Sequence, residues 1–161
     1  MATPTNLPSS FTSGDVLTAA NMNLLRGAFR ILQVVEGSYS TVVSSTSSSY
    51  VDTGLTASIT PQSTSSKVLV IVAQNCYSAN ATTGMGLQIL RGATSLMGHT
   101  DLVYGTNSGL VSNQTLIYLD SPASTSALTY KTQFNRSSGG GTVYTQVNSN
   151  RSTIILMEVS A

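Results

Sequence analysis

Charge is what this sequence has least of. Six acidic and seven basic side chains among 161 residues make 8% charged, with a net charge of +1, where a quarter is usual. Such a chain has no basic stripe for nucleic acid and no acidic surface for a basic partner. A single cysteine, Cys76, excludes an intrachain disulfide and a cysteine metal cluster. A reactive thiol needs a base or cation beside it and none is visible, so Cys76 is expected to be a small buried side chain at a strand end. No apolar run approaches the length of a membrane span, so no membrane insertion is expected. No basic segment followed by an apolar one opens the chain, so no secretory signal is expected either.

What the sequence does have is 40% hydrophobic residues, and Ser and Thr together approach a third. That length and apolar content suit one domain with a real core. The exposed faces must rely on hydroxyls and amides, a composition met in rigid assemblies whose subunits bury much of their own surface.

Two regions differ in character. Residues 1–32 form an arm and a helix, expected to be an attachment or oligomerisation module. "MATPTNLPSSFTS" has the prolines and hydroxyls of an extended arm. Thr18 is a candidate N-cap, with Leu17 and Met22 placed for a hydrophobic staple. Met22, Leu25, Phe29 and Leu32 follow at helical spacing, and Leu24, Ala28 and Ile31 add a second row. A helix apolar over more than half its circumference packs under a sheet, against copies of itself or on a partner. Self-association or docking is the favoured reading, with Leu17, Met22, Leu25, Phe29 and Leu32 as the contact.

Residues 33–161 read as an antiparallel β-sandwich. Short β-rich segments recur near 33–43, 50–59, 67–75, 85–91, 94–98, 110–119, 127–135, 142–148 and 152–159. "SSGGG" and "NSN" read as hairpin turns, and the last three strands as a meander. "VDTGLTASI" (51–59) alternates, whereas "KVLVIVA" (67–73) and "IILMEV" (154–159) are apolar on both sides apart from Glu158. One face of a sandwich strand should meet water, so something must cover those two. The N-terminal helix is one candidate and a neighbouring subunit the preferred one. A homotrimer interface through Val68, Val70, Val72, Ile154 and Leu156 is therefore expected.

Chemistry is scarce. His99 and Asp101 stand two apart but have no second histidine to complete a metal site, and they are expected in a loop. Asp120 reads as a turn cap. Glu158 reads as a strand-end carboxylate or a partner of Arg26, Arg91 or Lys67, rather than a buried general acid. There is no phosphate-binding loop and no nucleophile elbow. No enzyme, no cofactor and no metal are expected, and the few carboxylates argue against a polysaccharide hydrolase.

"FTSGDVLTAANMN" (11–23) resembles the opening of many bacteriophage tail-fibre and other virion proteins. "TSSSYVDTGLTASITPQSTSSKVLVIV" (46–72), "LQILRG" (87–92), "LIYLDSPASTSALTYKTQF" (116–134) and "IILMEV" (154–159) are similar to a β-domain common in phage structural proteins. The resemblance implies a mainly β, jelly-roll-like trimeric domain on a virion surface, at tail or capsid, bound to other phage proteins. A short fibre or receptor-binding tip that contacts a host cell-surface glycan or protein is one implied role. A capsid head decoration protein is the other. In the first role, Tyr77, Asn80, His99, Asp101, Tyr104 and Asn107 are the candidate receptor contacts, in loops distal to the arm.

Overall fold

The alternating strand 51–59 and the apolar strand 67–73 belong to different sheets. The computed structural model describes residues 31–106 and 109–160. Leu17, Met22, Leu25, Phe29 and Asn107 therefore lie outside the described residues. Leu32 does not: Ile31 and Leu32 already belong to the first strand, and Ile31 pairs with Val159. The expected helix does not extend to Leu32, because the open edge of the last strand captures this backbone first.

Ten strands follow: β1 (Ile31–Tyr39), β2 (Val43–Ser45), β3 (Val51–Ile59), β4 (Lys67–Ser78), β5 (Thr83–Arg91), β6 (Thr94–Gly105), β7 (Leu110–Asp120), β8 (Leu128–Ser138), β9 (Val143–Thr145) and β10 (Ser152–Val159). Sheet A runs β1-β10-β4-β7. The short β9 also pairs with the upper part of β4, and β2 pairs with β9. Sheet B runs β3-β8-β5-β6. Every pairing is antiparallel. Setting aside the short β2 and β9, eight strands form two four-stranded sheets and the chain changes sheet at every connection except the β5–β6 hairpin, which is the double Greek key of a jelly roll.

The meander expected at the C-terminus is not there. β8 lies in sheet B, while β9 and β10 lie in sheet A and both pair with β4. "NSN" forms a 3-10 turn, Val147–Ser149, rather than a hairpin. β6 runs on through the segment expected to be a loop, so His99 is a strand residue opposite Leu87, and Asp101 lies in β6 at the irregularity between the Leu87–His99 and Met85–Val103 pairs.

The core lies between the sheets. Val68, Val70, Val72, Leu116, Ile154 and Leu156 from sheet A meet Leu55, Ile59, Met85, Leu87, Ile89, Tyr130 and Phe134 from sheet B. Burial of apolar area at about 25 cal/mol per Å² is the main stabilising term here. Glycine is required at Gly54, whose φ is +87°. A Cβ there would lie 2.3 Å from the Tyr39 ring, which closes the β1–β3 edge of the sandwich.

Polar bonds tie the sheets together inside this core. Thr132 Oγ1 donates to Gln74 Oε1 at 2.9 Å, and the Thr53 and Thr132 hydroxyls share a 2.6 Å bond. Gln74 Nε2 donates to Ser152 Oγ at 2.9 Å. Gln74, Thr53, Thr132 and Ser152 are all buried. A buried amide that lost these partners would carry its full desolvation cost.

Candidate functional site: the two outer faces and the two ends

The outward-pointing residues of the two sheets differ in kind. On sheet B they form a hydrogen-bonded polar ladder across all four strands. Lys131 Nζ lies 2.8 Å from Asp52 Oδ1, which also accepts from Gln133 Nε2 at 2.8 Å. Gln88 Nε2 donates to Gln133 Oε1 at 2.9 Å, and Ser95 Oγ donates to Gln88 Oε1 at 3.0 Å. Ser58 and Thr129 share a 2.8 Å bond. The bond from Lys131 holds the Asp52 carboxyl below its ordinary range, against a smaller opposing effect of burial.

Sheet A turns apolar side chains outward. Pairing places Val34, Met157, Leu69 and Leu119 in one row across β1, β10, β4 and β7. The next row is Glu36, Ile155, Ile71 and Ile117, and Ile31 and Val159 flank the first. Val34 is 55% exposed, Ile117 58% and Leu119 49%. Further along come a small-residue row of Ser38, Thr153, Ala73 and Thr115, an amide pair and an aromatic pair. Asn75 Nδ2 donates to Asn113 Oδ1 at 3.2 Å. Tyr77 and Tyr144 follow, with ring centroids 5.6 Å apart. The charged side chains in these rows are Glu36, paired with Arg151 at 2.6 Å, and Lys67, which stands opposite Val159 at the entry end.

This corrects the expected interface residues. Val68, Val70, Val72, Ile154 and Leu156 have no exposed surface. They point into the sandwich, so a second chain cannot touch them. The opposite parity, Leu69, Ile71, Ile155 and Met157, is the one that faces out. Sequence alternation cannot choose between parities when both are apolar. Gln74 even points the wrong way for a sequence reading, inward beside the exposed Ala73.

The sandwich has two ends. The chain enters at Ile31 and leaves after Val159 at one of them, which also carries the connections 60–66, 92–93 and 121–127. Residues 40–42, 46–50, 79–82, 139–142 and 146–151 connect strands at the other. This follows from the pairings of Ile31 with Val159, Val159 with Lys67, and Val68 with Asp120 at the entry end.

Asn80 lies in the far-end connection 79–82, where its Oδ1 accepts from the Thr142 backbone N–H at 3.3 Å. Tyr104 is near the far end of β6 and 42% exposed. Tyr77 is a strand residue on the outer face of sheet A rather than in a loop. His99 is exposed in β6. Asp101, at φ 49°, accepts from Ser137 Oγ at 2.5 Å and Ser138 Oγ at 2.8 Å. Those bonds, Ser137 first, hold its carboxyl below the ordinary range.

At the entry end Asp120 does more than cap a turn. Its Oδ2 lies 2.5 Å from Arg91 Nη1 and accepts from the Tyr130 hydroxyl at 2.7 Å. β7 of sheet A is thereby fastened to β5 and β8 of sheet B. Burial, and after it the Asp120 carboxylate, push the Tyr130 hydroxyl up. Glu158 is fully buried and held by amides rather than a cation. It accepts from Gln33 Nε2 at 2.6 Å and from the Gln62 N–H at 2.7 Å. Burial alone would raise its carboxyl, but bonds from Gln33, Ser66, Gln62 and Ser63 outweigh it and leave the pKa lowered. An ionised carboxylate of this kind is not a general acid. Burial pushes the Cys76 thiol up to about 12.

Among the described residues no three His, Cys, Asp or Glu side chains are grouped to hold a metal. The depression lined by Asp52, Gly54, Leu55, Thr56, Lys131 and Thr132 holds about 190 Å³, below the roughly 300 Å³ at which ordinary ligand pockets begin.

No family model and no curated protein matches the sequence. Among solved structures the chain is similar to the VP2 subviral particle of infectious bursal disease virus, at 12% identity and a TM-score of 0.42, over 79% of this chain and 39% of that one. It is also similar to the Gt strain of that virus, at 11% and 0.40 over 80% and 38%, and to its T13 particle, at 10% and 0.37 over 82% and 38%. This chain spans about two fifths of the length of those chains. Such scores are too low to carry an argument, and the jelly-roll assignment rests on the strand order.

Proposed function

We propose that this chain is a non-enzymatic structural protein of a bacteriophage particle. Its N-terminal region attaches it to other virion proteins, and the far end of a trimeric sandwich meets a host cell-surface glycan or protein. The observation that carries this reading is the polarity of the domain: Ile31 enters at one end, while Asn80 and Tyr104 lie towards the other. The phage-like segment at 11–23 precedes the entry end, which suits attachment there.

Tyr104 offers a flat apolar ring with a polar tip, and Asn80 an amide with donors and acceptors. Asn107, His99 and Asp101 complete the proposed contact set. Single contacts of this kind are weak, and three copies on one axis gain avidity where their spacing matches the target.

Gold-labelled antibody against the chain, applied to intact particles, tests the reading. Label at the tail tip is the expected result. Label over the head shell assigns the protein to capsid decoration instead, and particles without label overturn the virion reading.

A further inference from the structure

We propose that the outer face of sheet A is the surface through which one copy of this chain binds another. This stands apart from the virion reading, since it rests on side-chain rows and would hold for any assembly.

The first argument is the contrast between faces. Sheet B satisfies its outward polar groups with its own ladder, as a surface left in water does. Sheet A turns two mostly apolar rows outward, with the Glu36–Arg151 pair at the β1 edge and Lys67 beside Ile31 and Val159 at the entry end. Single chains rarely expose contiguous apolar patches beyond a few hundred Å².

The second argument is size. β1, β10, β4 and β7 have 9, 8, 12 and 11 residues, and each residue covers roughly 16 Å² at a rise of about 3.4 Å and a strand spacing of about 4.8 Å. The face is thus on the order of 650 Å², within the range of the roughly 600–1,000 Å² that each partner buries in a stable interface. The small-residue row at Ala73 and Thr115 and the Tyr77–Tyr144 pair then lie within the same interface, and Tyr77 is a self-contact rather than a receptor contact.

Sedimentation equilibrium of the full chain tests the proposal with three proteins: wild type, Ile117→Lys and, on the outer face of sheet B, Thr56→Lys. Wild type and Thr56→Lys are expected as a multimer. Ile117→Lys is expected to weaken association at least 100-fold while its circular dichroism and melting remain those of a folded β-protein. If Ile117→Lys unfolds, Thr115→Arg at the rim of the apolar rows gives the same reading. A multimer that survives a folded Ile117→Lys or Thr115→Arg overturns the proposal, as does a wild-type monomer. A monomer that also binds no hydrophobic dye assigns the face to residues 1–30.

Discussion

Ile71 and Ile117 stand directly opposite each other across the β4–β7 pair, on the side of sheet A that turns away from the core. One residue along β4, Val70 and Val72 have no exposed surface at all. Neighbouring apolar residues on one strand thus serve different ends, folding on one parity and a free surface on the other.

Substitution should separate them. Val70→Asp places a carboxylate among Val, Leu and Ile side chains with no partner, a cost that exceeds much of a domain's ~5–15 kcal/mol. The expected outcome is insoluble or unfolded protein. Leu156→Ala removes core volume and should cost about 2–5 kcal/mol, read by urea unfolding. A folded Val70→Asp would mean that the sheets are packed the other way round.

Tyr130→Phe tests the clasp at the entry end. It deletes the 2.7 Å bond to Asp120 and leaves that carboxylate with Arg91 alone. A loss of about 1–3 kcal/mol is expected, a Tm lower by roughly 2–10 °C for a chain of this size. An unchanged Tm would show that the bond between sheets contributes nothing.

Glu158 predicts acid sensitivity. Its folded pKa is lowered from the ordinary 4.5. The bonds from Gln33, Ser66 and the 62–63 backbone therefore stabilise the fold fully above 4.5, and that contribution fades as pH falls through the lowered value. Glu158→Gln should be less stable than wild type at pH 7, and its Tm should fall less steeply on acidification below 4.5. Parallel Tm curves for the two proteins would contradict the assignment.

Tyr104→Ala should weaken adsorption of the purified protein to host cells without lowering its Tm. Loss of folding, or adsorption equal to wild type, would remove Tyr104 from the receptor surface.

Much of the fold was legible because strand spacing and turn residues speak locally. The alternation at 51–59 and the unbroken apolar run at 67–73 correctly separated a strand with a polar outer face from one that carries apolar side chains on both faces. What failed was long-range. Gly98, Asp101 and Gly105 are turn formers, yet pairing of Gly98, His99, Val103 and Gly105 with β5 carries β6 through the whole segment. The expected meander assumed that neighbours in sequence pair, whereas a jelly roll sends β8 and β9 to opposite sheets. The core parity of β4 was hidden because Val68, Val70 and Val72 alternate with Leu69 and Ile71, equally apolar. The Asp120 clasp had no signal, since its partners Arg91 and Tyr130 lie 29 and 10 positions away.

The most direct test of the account is the mobility of a spin label on each outer face of the full-length protein. Cys76 is buried with a thiol pushed up to about 12, so a label goes to an introduced cysteine. With Thr115→Cys on sheet A and Ser58→Cys on sheet B, the account predicts an immobilised spectrum for the first and a mobile one for the second. A Thr115 label as mobile as the Ser58 label would contradict burial of sheet A between copies of the chain.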